Sequence, residues 1–400
     1  MNVLEINTAD TKGGAGKIAY QLKNGLNQNG HKASMIVSKK YSQDDDVVLI
    51  RPYNNLRQRI LKKLSYLSAD DLDFYGSDRI LKNPLLKNAD IVHCHNLHTY
   101  YFNLSTLEKI SKIKPVVWTF HDMWPITAHC AHSFGDNIKN GFFVCPSLDI
   151  PIPIAWHNEK YLESKKRKIY ESSNFHIVVP SLWLKNKVEK SLLSSKPISV
   201  IYNGVDTNIF KPLNKQECRQ KLELPQNKKI ILFLAKRGQL NPWKGGSYAE
   251  DAISALTDRP DIYILDIGGD ENKTIGNRKF ISFINDEQTL VEYYSAADIL
   301  LYPSIADNCP LVVLEAQACG LPVVAFKTGG IPEIIGHKET GYIAEYKNTQ
   351  DLISGVKYCL APKKVSGAFS ALEKVPDTFN FNLDMMVDKY VELYSSILNK

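Results

Sequence analysis

Tyr302-Pro303-Ser304-Ile305-Ala306-Asp307-Asn308-Cys309-Pro310 runs directly into Leu311-Val312-Val313-Leu314-Glu315-Ala316-Gln317-Ala318-Cys319-Gly320-Leu321-Pro322. The apolar run ending at Tyr302 reads as a buried strand, the stretch around Asp307 as a loop, and the segment from Pro310 as a helix. Proline suits the first helical position, and Gly320 suits the position just past the end. The N–H groups at such a helix start lack intrahelical partners, so they form an anion site suited to a diphosphate. A second loop, Thr328-Gly329-Gly330, leads to Pro332 and Glu333 and repeats the arrangement. An acid in a first turn favours the helix dipole by about 0.3–1 kcal/mol whatever it binds, so Glu333 alone argues little.

Working outward, strand, turn and helix recur along the whole chain. Strands are expected near Val3–Ile6, Lys32–Val37, Ala89–His93, Val116–Phe120, Phe175–Pro180 and Ile198–Tyr202. After Asn203-Gly204-Val205-Asp206 they restart near Lys229–Ala235, Ile262–Ile267, Lys279–Phe283, Asp298–Tyr302 and Pro322–Phe326. Continuous rather than alternating apolar strands between amphipathic helices indicate parallel sheets covered on both faces. The fold class is therefore α/β, two doubly wound Rossmann-like domains facing a central cleft. Their expected spans are 1–203 and 204–378, with a closing helix in 379–400 that packs back on the first domain. Ligands of such sheets sit beyond the carboxyl ends of the strands, so the chemistry belongs to the turns after them.

Bulk properties exclude several classes. At 400 residues, 44% apolar and 23% charged, the chain is globular, and no apolar run approaches the roughly 20 residues of a membrane span. Met1 leads straight into a strand without the pattern of an export signal. Seven dispersed cysteines do not resemble a disulfide framework, and a reducing cytoplasm is the simplest expectation. A net charge of +6 does not call for nucleic acid. Arg57, Arg59, Lys62 and Lys63 nevertheless interleave with Leu56, Ile60, Leu61, Leu64 and Leu67, and Lys165-Lys166-Arg167-Lys168 adds a second basic run. That pattern suits peripheral contact with an anionic membrane, although solvated helices look similar.

Lys12-Gly13-Gly14-Ala15-Gly16-Lys17 resembles a P-loop only superficially, because Thr11 and Ile18 stand where glycine and Ser or Thr are required. A glycine turn that brings Gly13 and Gly14 backbone to phosphate fits better. His121 and Asp122 follow one strand, while His93, His95, Asn96 and His98 follow another. His129, Cys130, His132 and Cys145 lack the paired Cys-x-x-Cys spacing of a zinc site, so buried thiols and no metal are expected.

The 302–322 segment, with the Gly-Gly turn and the N-terminal loops, resembles retaining glycosyltransferase family 4, of GT-B fold. The likeness covers nearly the whole chain and is nearest to the colanic-acid and capsular-polysaccharide subgroup. The family commonly has Glu, seven residues, then Glu; here Asp307 takes the first place and Glu315 the second. The subgroup carries further cysteines near Cys145, where this chain has Phe142. By this resemblance Glu315 holds the donor ribose, and Asp307 and His121 face the donor sugar. Lys244, in Trp243-Lys244-Gly245-Gly246, grips the diphosphate together with either Lys236 or Arg237. Asn308, Cys309, Pro310 and Leu311 line the donor site, and His95, Asn96 and His98 are candidates to hold acceptor hydroxyls. Cations would neutralise the departing diphosphate without a metal.

The expected activity is transfer of a hexose from a nucleoside diphosphate sugar, UDP- or GDP-linked, to a growing, polyprenyl-diphosphate-linked cell-surface glycan. No other cofactor is implied. The enzyme would work at the cytoplasmic face of the membrane. An epimerase on the same fold, or a silent nucleotide- or glycan-binding subunit, is the alternative; the second predicts loss of Glu315 or Lys244, and both are present.

Overall fold

The computed structural model describes residues 1–400 except 51–54, 74–75, 236–241, 257–258, 362–380 and 400, and leaves out the side chains of 55, 57, 58 and 242. The chain divides into two compact units, Met1–Asn203 with Leu383–Lys400, and Gly204–Asn382.

The first unit is built on seven strands: β1 (Asn2–Ala9), β2 (Lys32–Lys39), β3 (Val47–Leu49), β4 (Ile91–Cys94), β5 (Val116–Thr119), β6 (His176–Val179) and β7 (Ile198–Val200). Their order is β3-β2-β1-β4-β5-β6-β7, parallel throughout. Helices cover both faces, so β1 is buried continuously from Val3 to Asn7 rather than at alternate positions. The chain runs outward through β2 and β3, then returns on the other side of β1 as β4. This reversal makes the carboxyl ends of β1 and β4 the natural ligand edge. Asp10, His95 and His121 all lie just beyond strand ends there.

Helix α1 (Gly14–Gln28) begins three residues earlier than its first charged residue, Lys17, suggests: Gly13 is its N-cap and the glycines form its first turn. Helix α2 (Asn55–Ser68) carries the first basic stretch. The second, on α3 (Glu159–Glu171), is not the open basic face that composition suggests. Lys165 pairs with Asp70 and Asp73, and Arg167 donates to the Asn140 carbonyl. Lys166 is fully buried and donates to the carbonyls of Trp124 (2.6 Å) and Thr127 (3.0 Å). Burial pushes its pKa down to about 7 against the pull of Asp71. Only Lys168 of this run is exposed.

A second correction concerns sulfur. Cys130 and Cys145 are joined as a disulfide across 15 residues, spanning the small Ile138–Lys139/Phe142–Phe143 hairpin. The other five cysteines form no disulfide.

The second unit repeats the plan with β8 (Lys229–Leu234), β9 (Ile262–Gly269), β10 (Lys273–Ile275), β11 (Arg278–Ser282), β12 (Ile299–Tyr302), β13 (Val323–Phe326) and β14 (Gly341–Ala344). The order is β10-β11-β9-β8-β12-β13-β14, and only the β10–β11 pair is antiparallel. Its reversal falls between β8 and β12. The loop after β12 leads to α4 (Leu311–Ala318). Pro310 is the N-cap of this helix rather than its first residue, with ψ of 120°. Its carbonyl takes the first helical bonds, from the Val313 and Leu314 N–H groups.

The closing helix, Leu383–Leu398, returns to the first unit with Met386, Val387, Tyr390 and Tyr394 buried. Tyr394 hydroxyl lies 2.6 Å from His93 Nδ1, and Tyr390 hydroxyl 2.9 Å from Thr119 Oγ1. The last helix thus completes a hydrogen-bond cluster begun by β4 and β5. Tyr394→Phe strands a buried imidazole nitrogen, and should lower unfolding free energy in urea by about 1–3 kcal/mol. A loss well below this would mean that His93 finds its partner elsewhere.

Candidate functional site

In the second unit three loops close on one another at the carboxyl edge. Gly245 follows Lys244 with φ of 68°, and a β-carbon there would lie 1.7 Å from the Pro303 carbonyl oxygen. Gly329, with φ of 55°, is in the same position against the Asp307 carbonyl oxygen, at 1.6 Å. Only glycine permits either approach. Hydrogen bonds from Ile305 N and Ser304 Oγ to the Trp243 carbonyl, each 3.0 Å, and from Gly330 N to the Asn308 carbonyl, 2.8 Å, complete the lock.

Into this frame the chain places a charged triad. Lys244 Nζ pairs with Asp307 Oδ2, which also accepts from the Tyr302 hydroxyl at 2.6 Å; Lys244 Nζ stands 3.0 Å from that hydroxyl. Burial alone would push the Lys244 pKa down. The Asp307 carboxylate and Tyr302 outweigh it and hold the ammonium above its ordinary range. Tyr302 is pushed up by burial and by Asp307, so it stays a neutral donor. Next to the triad, Asn308, Cys309 and Pro310 are buried and Leu311 is half-buried where α4 begins. Glu315, one turn into α4, is 5% exposed, and its Oε2 accepts from the Tyr294 hydroxyl at 3.0 Å. Lys236 and Arg237, the two candidates for a further phosphate contact, lie outside the described residues. Sequence reasoning overlooked Tyr302 and Tyr294, which read as strand-end and helix aromatics; their hydroxyls prove to be carboxylate donors.

In the first unit, the Gly13–Gly14 turn opens α1 without a side-chain cap. Asp10, just before it, accepts from the backbone N–H of Thr11, Tyr41 and Ser42 at 2.8–3.0 Å and pins the turn. Burial pushes its carboxyl up, and these donors more than reverse that, so it remains ionised. His121 Nε2 lies 3.0 Å from His95 Nδ1. Burial pushes the His121 pKa down to about 4 against the pull of Asp122, so the half-exposed ring is neutral near pH 7.

The three proposed acceptor ligands divide. His95 is 1% exposed with Nδ1 engaged by His121, and His98 is buried with Nε2 2.8 Å from Asp122 Oδ2. Asn96 alone is half-exposed, and its backbone is fixed by Asn7, Thr8 and Tyr101.

The thiol-and-histidine group is held by local bonds. Cys130 and Cys145 bond to each other, His129 Nδ1 faces the Ile152 carbonyl at 2.9 Å, and His132 Nδ1 accepts from Phe134 N. Among the described residues, Glu5, His93 and His95 form the one group close enough to share an ion. His93 has both nitrogens engaged, Nδ1 by Tyr394 and Nε2 by Thr119 at 2.8 Å. Two open donors are fewer than the three protein ligands of a catalytic zinc.

Residues 12–209 match the family model described as Glycosyltransferase Family 4, and residues 214–370 the model described as Glycosyl transferases group 1. The chain belongs to glycosyltransferase family 4. Over 424 residues it is 23% identical to the protein named colanic acid biosynthesis glycosyl transferase WcaC of Escherichia coli, covering 99% of this chain and 100% of that one. It is also 29% identical over 256 residues to D-inositol 3-phosphate glycosyltransferase of Corynebacterium glutamicum, covering 58% and 57% of the two chains. Among solved structures, sucrose-phosphate synthase of Thermosynechococcus elongatus superposes with a TM-score of 0.72 at 17% identity, covering 99% of each chain. HepE of Anabaena, solved in complex with UDP-glucose, gives 0.64 at 17% identity, covering 98% and 99%. The fold of this glycosyltransferase is GT-B, two Rossmann-like domains.

The triad makes a specific prediction. Asp307→Asn removes the counter-charge of Lys244, so an anionic donor bound there would meet the ammonium alone. Affinity for UDP should not weaken, while turnover should fall by roughly fivefold to a hundredfold, the equivalent of about 1–3 kcal/mol. Calorimetry of UDP beside transfer rates reads both. Weakened UDP binding with normal turnover would reduce Asp307 to a loop scaffold.

Proposed function

We propose that this glycosyltransferase moves a hexose, with retention, from a nucleoside diphosphate sugar to a growing lipid-linked cell-surface glycan. The observation that carries the reading is the Lys244–Asp307–Tyr302 triad beside the start of α4, with Glu315 one turn further on. A cation beside the start of α4 suits a diphosphate, and a carboxylate one turn further on suits a ribose. The cation stabilises charge gathering on the leaving diphosphate, so the chemistry needs no metal. UDP is the favoured nucleotide, supported by the UDP-glucose complex of HepE. The glycan acceptor is supported by the name of the Escherichia coli relative. In this reading the second unit binds the donor and the first binds the acceptor.

A thermal-shift screen across UDP, GDP, ADP and dTDP sugars tests the donor class, because a ligand of the native state raises its melting temperature. Glu315→Gln should leave the fold intact and weaken nucleotide sugar by about 1.5–3 kcal/mol, since an amide cannot accept charge-assisted bonds from two hydroxyls. Wild-type KM and turnover in the purified variant would remove the ribose role.

Peripheral membrane contact rests on α2. Among the described residues no helix is long and apolar enough to cross a membrane. Yet Leu56, Ile60, Leu64 and Leu67 recur at helical spacing and are 68%, 51%, 56% and 52% exposed. Trp156, bonded to the Leu67 carbonyl through Nε1, and Tyr161 are exposed too, while Arg59, Lys62 and Lys63 supply the cations. An apolar stripe edged by aromatics and basic residues fits the interface of an anionic bilayer. Replacing Arg59, Lys62 and Lys63 by Gln should cut partitioning onto phosphatidylserine vesicles by roughly a hundredfold, at about 1 kcal/mol per charge. Ile60→Asp with Leu64→Asp should abolish flotation altogether. Absence of flotation by the wild type returns α2 to a solvated face.

A further inference from the structure

Glu5 sits in the middle of β1, in Val3-Leu4-Glu5-Ile6, with no exposure at all. Neither carboxyl oxygen has a hydrogen-bond partner, and neither does His95 Nε2. Those orphaned groups face each other: Glu5 Oε2 is 3.5 Å from His95 Nε2, within about an ångström of an O–H···N bond. On its other side His95 Nδ1 meets His121 Nε2 at 3.0 Å. The three side chains form a line from the buried centre of the sheet to the half-exposed ring beyond β5. His93 lies tilted against His95 with centroids 4.1 Å apart, but Thr119 and Tyr394 occupy both its nitrogens, so it cannot serve Glu5.

We propose that Glu5 and His95 are a buried positioning pair that sets which ring nitrogen of His121 carries its hydrogen. The inference rests on the reading, drawn from the family resemblance, in which His121 meets a substrate sugar. An acid wholly out of water keeps its proton, because ionisation there costs several kcal/mol without a partner. Burial accordingly pushes Glu5 well above, and His95 well below, their ordinary ranges. A neutral Glu5 donates its O–H, so His95 Nε2 must accept and the His95 hydrogen resides on Nδ1. That N–H donates to His121 Nε2, which places the His121 hydrogen on Nδ1. His121 therefore offers its ligand a hydrogen-bond donor, suited to a sugar hydroxyl oxygen, rather than a base. An ionised Glu5 would reverse every hydrogen in the line and make His121 Nδ1 an acceptor. The carboxyl is remote from the substrate, yet it decides the polarity of the group that meets it.

The test uses the full-length protein labelled with 15N-histidine, with His121 assigned through His121→Gln. Two-bond proton–nitrogen spectra read each ring's tautomer directly. The wild type should show His121 protonated on Nδ1. Glu5→Met, apolar and of similar volume, removes the donor; His121 should then populate the Nε2–H form, and kcat should fall by about tenfold, the scale of one misdirected donor. The KM for the nucleotide sugar should change little. Glu5→Gln restores an N–H donor at the same place and should recover the wild-type tautomer and most of the lost kcat. A His121 hydrogen on Nε2 in the wild type, or one tautomer common to all three proteins, overturns the inference. So does a stoichiometric metal ion in the purified protein, which would claim the same orphaned atoms. If the tautomer shifts as stated while kcat in Glu5→Met and His121→Gln stays at wild type, the pair stands and the sugar-contact reading of His121 falls.

Discussion

A β-carbon on residue 245 or 329 would lie within 2 Å of a neighbouring carbonyl oxygen, so the loops after β8, β12 and β13 meet backbone to backbone. The placement of Lys244 against Asp307 depends on that contact. Lys244 precedes one of these glycines, and Asp307 supplies the carbonyl that meets the other. The distance between ammonium and carboxylate is thus set by main-chain packing rather than by two flexible side chains finding each other. Exposed ion pairs of that sort are worth little because ordering long side chains offsets the attraction. Here the backbone is already ordered, and Tyr302 satisfies the same carboxylate oxygen from below. The outcome is a cation held at a fixed place beside a helix start, which is what a leaving diphosphate requires.

How much of this could be read beforehand follows from the length of each signal. Strands with four or more consecutive apolar residues, such as Ile230–Leu234 in β8, announce themselves, and with them the parallel α/β architecture. Val47–Leu49 and Lys273–Ile275 have three residues each, and the latter is exposed throughout, so neither carries a periodic signal. Gly341–Ala344 begins with a residue disfavoured in strands and is recruited by pairing with β13. The disulfide was hidden for another reason. Dispersed cysteines in a chain of this size give no pairing rule, and only the fold brings Cys130 and Cys145 to a Cα separation of 5.8 Å.

The candidate site was legible where motif and loop coincide and illegible where burial decides. Asp307, Glu315 and Lys244 follow strands or lie on helices, and the family resemblance of those loops singles them out. His95 and His98 also follow a strand, and looked like acceptor ligands on that ground. Packing turned both inward, one toward Glu5 and the other onto Asp122. A signal for this did exist in the chain. A glutamate flanked by Val3, Leu4 and Ile6 in an apolar strand is rarely buried without a purpose, since acids are almost never fully inside unless paired. Asp10 was equally visible and equally silent, because three backbone donors from a turn distant in sequence define its role.

The two units treat charge in opposite ways, and solvation explains the difference. In the second, Lys244 keeps a third of its side chain exposed and has a carboxylate against it, so the ionised state survives partial burial. In the first, the line through Glu5, His95 and His121 has no strong counter-charge within it, and burial drives each member to its neutral form. A neutral line transmits hydrogen-bond direction without creating a field. On the proposed reading that is the useful property beside a sugar hydroxyl. A neutral N–H donor orients a hydroxyl without adding charge beside it. The C-terminal helix has a part in the same arrangement. By placing Tyr390 and Tyr394 over Thr119 and His93 it occupies the nitrogens that could otherwise compete for Glu5, and so leaves His95 as the carboxyl's only outlet among the described residues.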